Sequence, residues 1–226
     1  MDNDDNTVRL SKRVMEERQC SRREAELYIE GGFVGVDGKL VEEAGARVAP
    51  DQQIAIAKNA TLLEIVPVTI LLHKPAGAAQ PLHLLKEETL TRSSPGQRFL
   101  KRHITGQEQM VPLDAKASGL VVFTQDFRVN RKLSEESLEQ EIIVEVSGAI
   151  IEGGLQQLNQ INGKVSWQNE TRLRFAMKNA KLGLIEKLCK EVGLTVVSMK
   201  RIRVGRISMA SLPSGEWRYL QNYERF

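Results

Sequence analysis

The sequence predicts an α+β protein with a mixed or antiparallel sheet. Three observations indicate this class: short aliphatic or alternating segments typical of strands, amphipathic segments with helix signals between them, and the lack of strict strand–helix alternation. Of the 226 residues, 41% are apolar and only 5% are aromatic, so a packed and mostly aliphatic core is expected. This length suits one large domain or two small ones.

The first 57 residues predict a small unit in which two helices pack on a small curled sheet. The segment S-R-R-E at Ser21–Glu24 is a capping box, which begins a helix that Gly31-Gly32 ends. Asp37-Gly38 predicts a tight hairpin, and a further strand is expected over Gln53–Ala57. Residues 58–67 read as a linker.

The remainder of the chain predicts a larger unit rich in strands. An amphipathic helix is expected at Gly183–Gly193, where Gly193 ends it. A strand that enters a loop is expected within Thr69–Gly77, where Pro and Gly close the apolar run. Further strands are expected at Gly119–Thr124, Glu141–Val146, Thr171–Met177, Thr195–Ser198 and Arg203–Met209.

Positive charge is clustered although the formal net charge is only +3. Six basic residues stand against two acids between Val8 and Arg23, and five stand against one acid between Lys200 and Arg218. This distribution fits a protein that binds a polyanion on one face, or ordinary solvated helix faces.

The cysteines and the N-terminus exclude several classes of protein. Cys20 and Cys189 form no CxxC pair, so neither a structural zinc site nor a disulfide framework is expected. The opening MDNDDNT has no apolar segment, and no stretch approaches the ~18 apolar residues of a membrane span. We therefore expect a cytoplasmic protein that has no metal site and does not bind a membrane.

The N-terminal region resembles an S4 RNA-binding domain over residues 8–57. The resemblance lies in the opening R-L-x-K, the helix start C-S-R-R-E-A and the hairpin V-x-V-x-G-K within VRLSKRVMEERQCSRREAELYIEGGFVGVDGK. It implies that RNA is contacted by Arg9, Lys12, Arg22, Arg23 and Lys39. Cations beside a helix N-terminus favour phosphate binding, which provides affinity but little base specificity.

A single carboxylate stands out in the segment VPLDAKASGL. Asp114 has no serine elbow, no metal-ligand histidine spacing and no second carboxylate to complete a hydrolase pair. Two interpretations of Asp114 remain open: it is a nucleophile at the head of a buried strand, or a structural residue that caps the Ala115–Ser118 turn.

The larger unit, residues 68–226, resembles an RNA pseudouridine synthase of the branch that carries an S4 domain and acts on ribosomal RNA, in one member also on tRNA. HKPAG is similar to the family's N-K-P-x-G loop, and PLDAKASGLVVFTQD to its R-L-D-x-x-S-x-G-L-x-x-L-T-x-D motif. LEQEIIVEVSG stands where the family has E-K-E-Y-x-V-x-V, and the C-terminal LPSGEWRYL matches L-P-x-G-E-W-R-x-L. The resemblance implies a mixed, mainly antiparallel sheet, and it makes Asp114 the catalytic nucleophile of a uridine isomerase that acts as a monomer. No atoms enter or leave in this isomerisation, so the resemblance also implies that no cofactor is needed.

This sequence departs from the family pattern at three of its four usual active-site elements. Pro112 replaces an arginine, and Ile142 replaces the tyrosine that stacks on the target uracil. The N-R-Q-I-R-R stretch, whose basic residue pairs with the aspartate, falls on residues 182–187, where only Ile185 and the cation Lys187 are kept. Leu113 and Ile142 are expected to line the substrate pocket.

These departures leave a second interpretation open. The chain is either an active synthase or a weakened or inactive relative that binds structured RNA, since loss of a positioned proton-transfer group typically lowers the rate ~10²–10⁴-fold. Lys116, Lys74 and Arg203 are candidates to replace the missing cation. Lys74, in the HKPAG loop, is also expected to contact RNA or to lie on the surface.

Overall fold

The structure is a computed structural model that describes residues 6–91, 98–135, 138–161, 163–178 and 180–226. The described residues divide into two compact units, one within Met1–Pro67 and Arg98–Gly106, the other within Val68–Gln97 and Gln107–Phe226. We expected the second domain to run without interruption from residue 68, whereas Arg98–Gly106 groups with the first unit. The acidic start of the chain, residues 1–5, lies outside the described residues.

The first unit contains two helices, α1 at Leu10–Arg18 and α2 at Arg22–Glu30. The predicted capping box is confirmed, because the Glu24 amide donates to Ser21 Oγ at 3.3 Å and the Ser21 amide donates to Glu24 Oε2 at 2.7 Å. These bonds satisfy main-chain donors that the first turn of a helix leaves free.

The strands of the first unit are short. They are β1 at Val8–Arg9, β2 at Val34–Val36, β3 at Lys39–Leu40, β4 at Arg47–Val48 and β5 at Ile54–Ile56. β1 pairs with β4, and β2 lies between β3 and β5. Asp37 and Gly38 have φ angles of 50° and 79°, so the predicted hairpin turns through two left-handed residues.

The second unit is built on a large mixed sheet. Its strands are β6 at Thr69–Lys74, β7 at Glu108–Met110, β8 at Ser118–Thr124, β9 at Glu139–Gly148, β10 at Gly163–Asn169, β11 at Arg172–Lys178, β12 at Leu194–Val204, β13 at Ile207–Ser208 and β14 at Trp217–Tyr219. Among the described residues the order is β10-β11-β9-β12-β8-β6-β14, with β13 paired to β12 and β7 to β8. Of the pairings between these strands, only β12–β8 is parallel among the described residues, and an isolated parallel bridge joins Leu90 to Trp217. The expected mainly antiparallel sheet is therefore confirmed.

Strand β9 shows how the sequence builds this sheet. Its even-numbered residues Gln140, Ile142, Val144 and Val146 are buried, whereas the odd-numbered ones are mostly more exposed. The buried face packs against the short helix α4 at Gly154–Leu158 and the predicted helix, α5, at Leu184–Glu191. This alternation turns one face of β9 toward the core and the other face toward solvent.

Two expectations differ from the structure. The C-terminal strands expected at 195–198 and 203–209 are one continuous strand, β12, followed by the two-residue β13. A third helix of the second unit, α3 at Phe127–Glu135, was not expected. The residues between the two expected strands, Met199 to Ile202, belong to β12, and the charged side chain of Arg201 is buried within it.

Candidate active site

The Asp114 loop, defined here as Val111–Ala117, connects β7 to β8 at one edge of the buried sheet. The loop turns tightly, since the Ala117 amide donates to the main-chain oxygen of Asp114 at 3.0 Å. The Gly77 amide donates to Ala115 O at 2.8 Å, which ties the HKPAG loop to the Asp114 loop. The two motifs predicted to form the site are therefore adjacent.

The carboxylate of Asp114 is half-buried and does not cap its own turn. Instead, both oxygens face the Gly183 amide, with Oδ1 at 3.2 Å and Oδ2 at 3.3 Å. Gly183 is the N-cap of α5, where unpaired amides favour a negative charge. The stretch that carries the family's basic residue thus offers Asp114 a main-chain donor.

Asp114 lines a small cleft that is partly open to solvent. Its walls are mostly apolar, and its polar side chains are Asp114, Gln140, Lys181 and Arg201. The apolar lining is Pro112, Leu113, Ala180, Leu182, Ile142, Ile185 and Met199. A carboxylate among apolar side chains acts more strongly on a nearby charge than it would in water.

The two residues expected to line the substrate pocket do lie at this cleft. Leu113 is half-buried on the loop, and Ile142 is 3% exposed on β9. Neither carries a group that exchanges protons, so the cleft has no hydroxyl at the position of the family's tyrosine. Pro112 contributes its ring to the wall and its carbonyl to a hydrogen bond with Arg201.

Arg201 is the functional candidate that sequence reasoning missed. It is 1% exposed on β12, and its guanidinium donates to Leu120 O at 2.7 Å, Val111 O at 2.7 Å, Pro112 O at 3.1 Å and Gln140 Oε1 at 3.0 Å. Burial lowers the pKa of Arg201 to about 9, and the negative charge of Asp114 opposes that shift. The carboxylate in the cleft is thus an acid whose charge acts on Arg201.

A bulge in β12 explains why this arginine was hard to assign. Arg201 pairs with Ile142 and Arg203 with Glu141, so the register shifts between the two arginines. Because Ile142 and Glu141 lie on opposite faces of β9, the shift sends Arg201 toward the cleft and Arg203 to the other face. Regular alternation would have placed both arginines on one face.

Lys74 is a correction to the sequence prediction. It was expected to contact RNA or lie on the surface, but it is 1% exposed, and its ammonium donates to Ala117 O at 2.6 Å, Ala115 O at 2.8 Å and Pro75 O at 3.2 Å. Burial lowers the pKa of Lys74 and Arg201 lowers it further, while Asp114 raises it. Lys74 ends β6 with its side chain turned inward, beneath the Asp114 loop.

The other candidate cations do not line the cleft. Lys116 is exposed on the loop, and Lys187 lies 3.9 Å from Glu191. Arg203 donates to Glu139 and Glu141, each at 2.5 Å. Burial alone would raise the pKa of Glu141, but hydrogen bonds from Arg203 and Arg174 bring it below its usual value. Arg203 therefore belongs to an ion-pair network on the opposite face of the sheet.

The cations assigned to RNA in the first unit are all exposed. Arg22 pairs with Glu26 at 2.9 Å, and Arg23 lies 3.8 Å from Glu64. Within the part of the chain that the structure describes, the remaining three make no ion pair: Arg9, Lys12 and Lys39. Exposed and unpaired cations are free to meet phosphates.

Among the described residues, no three His, Cys, Asp or Glu side chains come together in a way that could hold a metal ion. No described helix combines the length and the apolar character needed to cross a membrane.

Known proteins similar to this chain include enzymes that modify RNA. No family model matches the chain. The dual-specificity RNA pseudouridine synthase RluF of Escherichia coli K12 is 28% identical over 240 residues, which cover 97% of this chain and 78% of RluF. An uncharacterized RNA pseudouridine synthase of Aquifex aeolicus is 25% identical over 230 residues, which cover 96% of this chain and 94% of that protein.

The fold is shared with a solved protein. The crystal structure of a pseudouridylate synthase matches with a TM-score of 0.57 at 16% identity, and the match covers 95% of this chain and 96% of that one. The predicted α+β class is therefore confirmed.

Replacing Lys74 with Met should destabilise the second unit. The substitution removes the donor from Ala115 O and Ala117 O, and a buried acceptor without a partner costs about 1–3 kcal/mol. We expect Lys74→Met to lower the free energy of unfolding by that amount in urea denaturation. Lys116→Met, the same change on the exposed side of the loop, should leave it unchanged; equal stabilities of the two variants would contradict the buried role of Lys74.

Proposed function

We propose that this chain, a relative of the RNA pseudouridine synthases over nearly its whole length, isomerises a uridine in structured ribosomal RNA, with tRNA as a second substrate. Asp114 is the nucleophile. The observation that carries the proposal is the position of this carboxylate: among the described residues that line the apolar cleft, Asp114 is the acid. The relatives' shared activity and the motif around Asp114 support the same assignment.

The chemistry suits a lone carboxylate. The C1′–N1 bond of the uridine breaks, the uracil turns, and C1′ bonds to C5; C5 then loses its proton and N1 gains one, so that the atoms balance. An ionised carboxylate attacks C1′ or offsets the positive charge of an oxocarbenium-like ribose. The target must first leave its stack, at a cost of a few kcal/mol in a duplex and less in a loop.

The altered positions set an expectation for rate. Ile142 packs against a base but accepts no proton, so the C5 proton leaves to Asp114 or to water. Pro112 supplies no cation to the flipped nucleotide. We therefore propose a synthase that turns over slowly, since one missing proton-transfer group typically lowers a rate ~10²–10⁴-fold.

The exposed cations of the first unit support RNA binding by a separate module. We propose that residues 8–57 form an S4 domain, joined by 58–67 to the catalytic residues 68–226, and that its cations bind the phosphate backbone while the cleft captures a uridine. Splayed bases in loops are the usual targets of RNA recognition. We propose that the protein acts as a monomer. We also propose that it is located in the cytoplasm, in keeping with its two free thiols, Cys20 and Cys189.

Release of tritium from RNA labelled at uracil C5 tests the activity. We expect slow release with bulk ribosomal RNA, abolished by Asp114→Asn because the amide offers no anionic oxygen. Asp126→Asn, which changes an aspartate of the same unit outside the cleft, should keep the wild-type rate. RNA binding without any release by the wild-type protein would leave only an RNA-binding role.

Neutralising the three unpaired cations Arg9, Lys12 and Lys39 to Gln tests the RNA-binding module. Each lost phosphate contact should reduce the slope of log K against log salt by about 0.7–0.9, so the triple variant should lose about 2. Filter binding across a salt series measures this slope. A matched triple variant at exposed lysines of the second unit, Lys164, Lys178 and Lys190, should keep the wild-type slope, and equal slopes for both variants would contradict the module.

A further inference from the structure

Arg201 holds the start of the Asp114 loop and the strand β8 that follows the loop. Its Nη2 donates to Val111 O and its Nη1 to Pro112 O, ahead of the aspartate, while its Nε donates to Leu120 O beyond it. The remaining acceptor, Gln140 Oε1, lies on β9. A planar guanidinium suits this task because its donors point in fixed directions, whereas a lysine ammonium cannot reach four separated acceptors at once.

The main chain of Arg201 holds the same loop. β12 runs parallel to β8 with Arg201 opposite Gly119. A Cβ on Gly119 would lie 2.2 Å from Arg201 O and 2.5 Å from Arg201 N, and the φ angle of Gly119 is +117°. Only glycine permits this approach, so the end of the loop is set directly against the strand that carries the arginine.

The other end of the loop is strained. Val111 has a φ angle of 48°, in the left-handed region that a β-branched residue rarely adopts. Such conformations persist where the surroundings hold them, and they cluster at functional sites. The Val111 carbonyl is the one that accepts the 2.7 Å hydrogen bond from Arg201 Nη2, so the arginine stabilises the strained residue three positions before Asp114.

The positive charge has no acidic hydrogen-bond partner. All four acceptors of Arg201 are neutral oxygens, and Asp114 is the acid that acts on it through space. The altered motifs offer Asp114 a proline carbonyl at 112 and a main-chain amide at 183, with no cation at either position. A buried charge with neutral partners keeps its field, because no adjacent carboxylate cancels it.

We propose that Arg201 is the positioning residue of this site, which fixes the Asp114 loop in its productive geometry and supplies the positive charge that the altered motifs lack. The proposal rests on the proposed function. All four hydrogen bonds of the Arg201 guanidinium go to oxygens of the protein, so we infer that it acts through the position and charge environment of Asp114. Its loss should therefore change the turnover number and leave RNA binding intact.

Three substitutions separate geometry, charge and general stability. Arg201→Lys keeps the charge and loses the fork; Arg201→Met loses both; Arg203→Lys is the matched control on the same strand, bonded to Glu139 and Glu141 outside the cleft. In tritium release, kcat should fall about 10²-fold for Arg201→Lys, as for a misplacement of ~1 Å, and further for Arg201→Met. KM and the RNA dissociation constant should stay at the wild-type values, and Arg203→Lys should match wild type.

Hydrogen exchange gives a second readout that does not need activity. The amides of Ala117 and Gly77 bond to oxygens of the Asp114 loop, and both should exchange faster in Arg201→Lys than in Arg203→Lys. If the amides exchange faster in Arg201→Lys than in Arg203→Lys but the wild-type protein releases no tritium, the synthase assignment is wrong and the positioning role remains. If Arg201→Lys does not fold, Gln140→Leu removes one of the four acceptors without changing a charge and should give a smaller loss in kcat.

Several outcomes would overturn the proposal. An unchanged kcat in folded Arg201→Lys shows that the loop does not need the arginine. A rise in KM that matches a loss of RNA affinity makes Arg201 an RNA contact. Equal exchange rates in Arg201→Lys and Arg203→Lys show that the loop is held by other groups.

Discussion

Two buried positive charges, on Lys74 and Arg201, are bound by the main chain of one loop. Five carbonyl oxygens of Val111–Leu120 accept hydrogen bonds from these two side chains. Removing a cation from water is expensive unless its donors are satisfied, so the cations and the loop depend on each other. The single carboxylate of the loop, Asp114, is the acid whose negative charge acts to raise the pKa of both cations. The geometry of the site follows from this mutual requirement.

The same arrangement holds the carboxylate of Asp114 in place without a cationic side chain at residues 112 and 183. The proline at 112 and the glycine at 183 offer only main-chain groups, a carbonyl to Arg201 and an amide to Asp114. Ile142 keeps the wall of the cleft apolar without a hydroxyl. What persists is the part that positions the carboxylate and surrounds it with apolar side chains; what is absent is a separate group for proton transfer. A slow isomerase that depends on solvent for one proton fits this set of residues.

Local signals in the sequence were enough for the elements that depend on them. The capping box at Ser21, the Asp37-Gly38 hairpin and the helix before Gly193 rest on contacts within a few residues, and all three are present. Lys74 and Arg201 could not be placed in this way, because all their hydrogen-bond acceptors except Pro75 O lie 41 to 90 residues away along the chain. The bulge between Arg201 and Arg203 places these two side chains on opposite faces of the sheet, and an alternating sequence pattern does not predict it. The positions of the Lys74 and Arg201 side chains therefore depend on long-range hydrogen bonds, which composition and motif spacing do not predict.

The most direct test of the account is a mass-spectrometric map of pseudouridine in ribosomal RNA and tRNA from cells that lack this protein. The account predicts that one or more pseudouridines are missing, that the wild-type gene restores them, and that a gene encoding Asp114→Asn does not. A map identical to that of the parent cells would contradict the claim that this carboxylate isomerises a uridine. Restoration by the Asp114→Asn gene would contradict it equally.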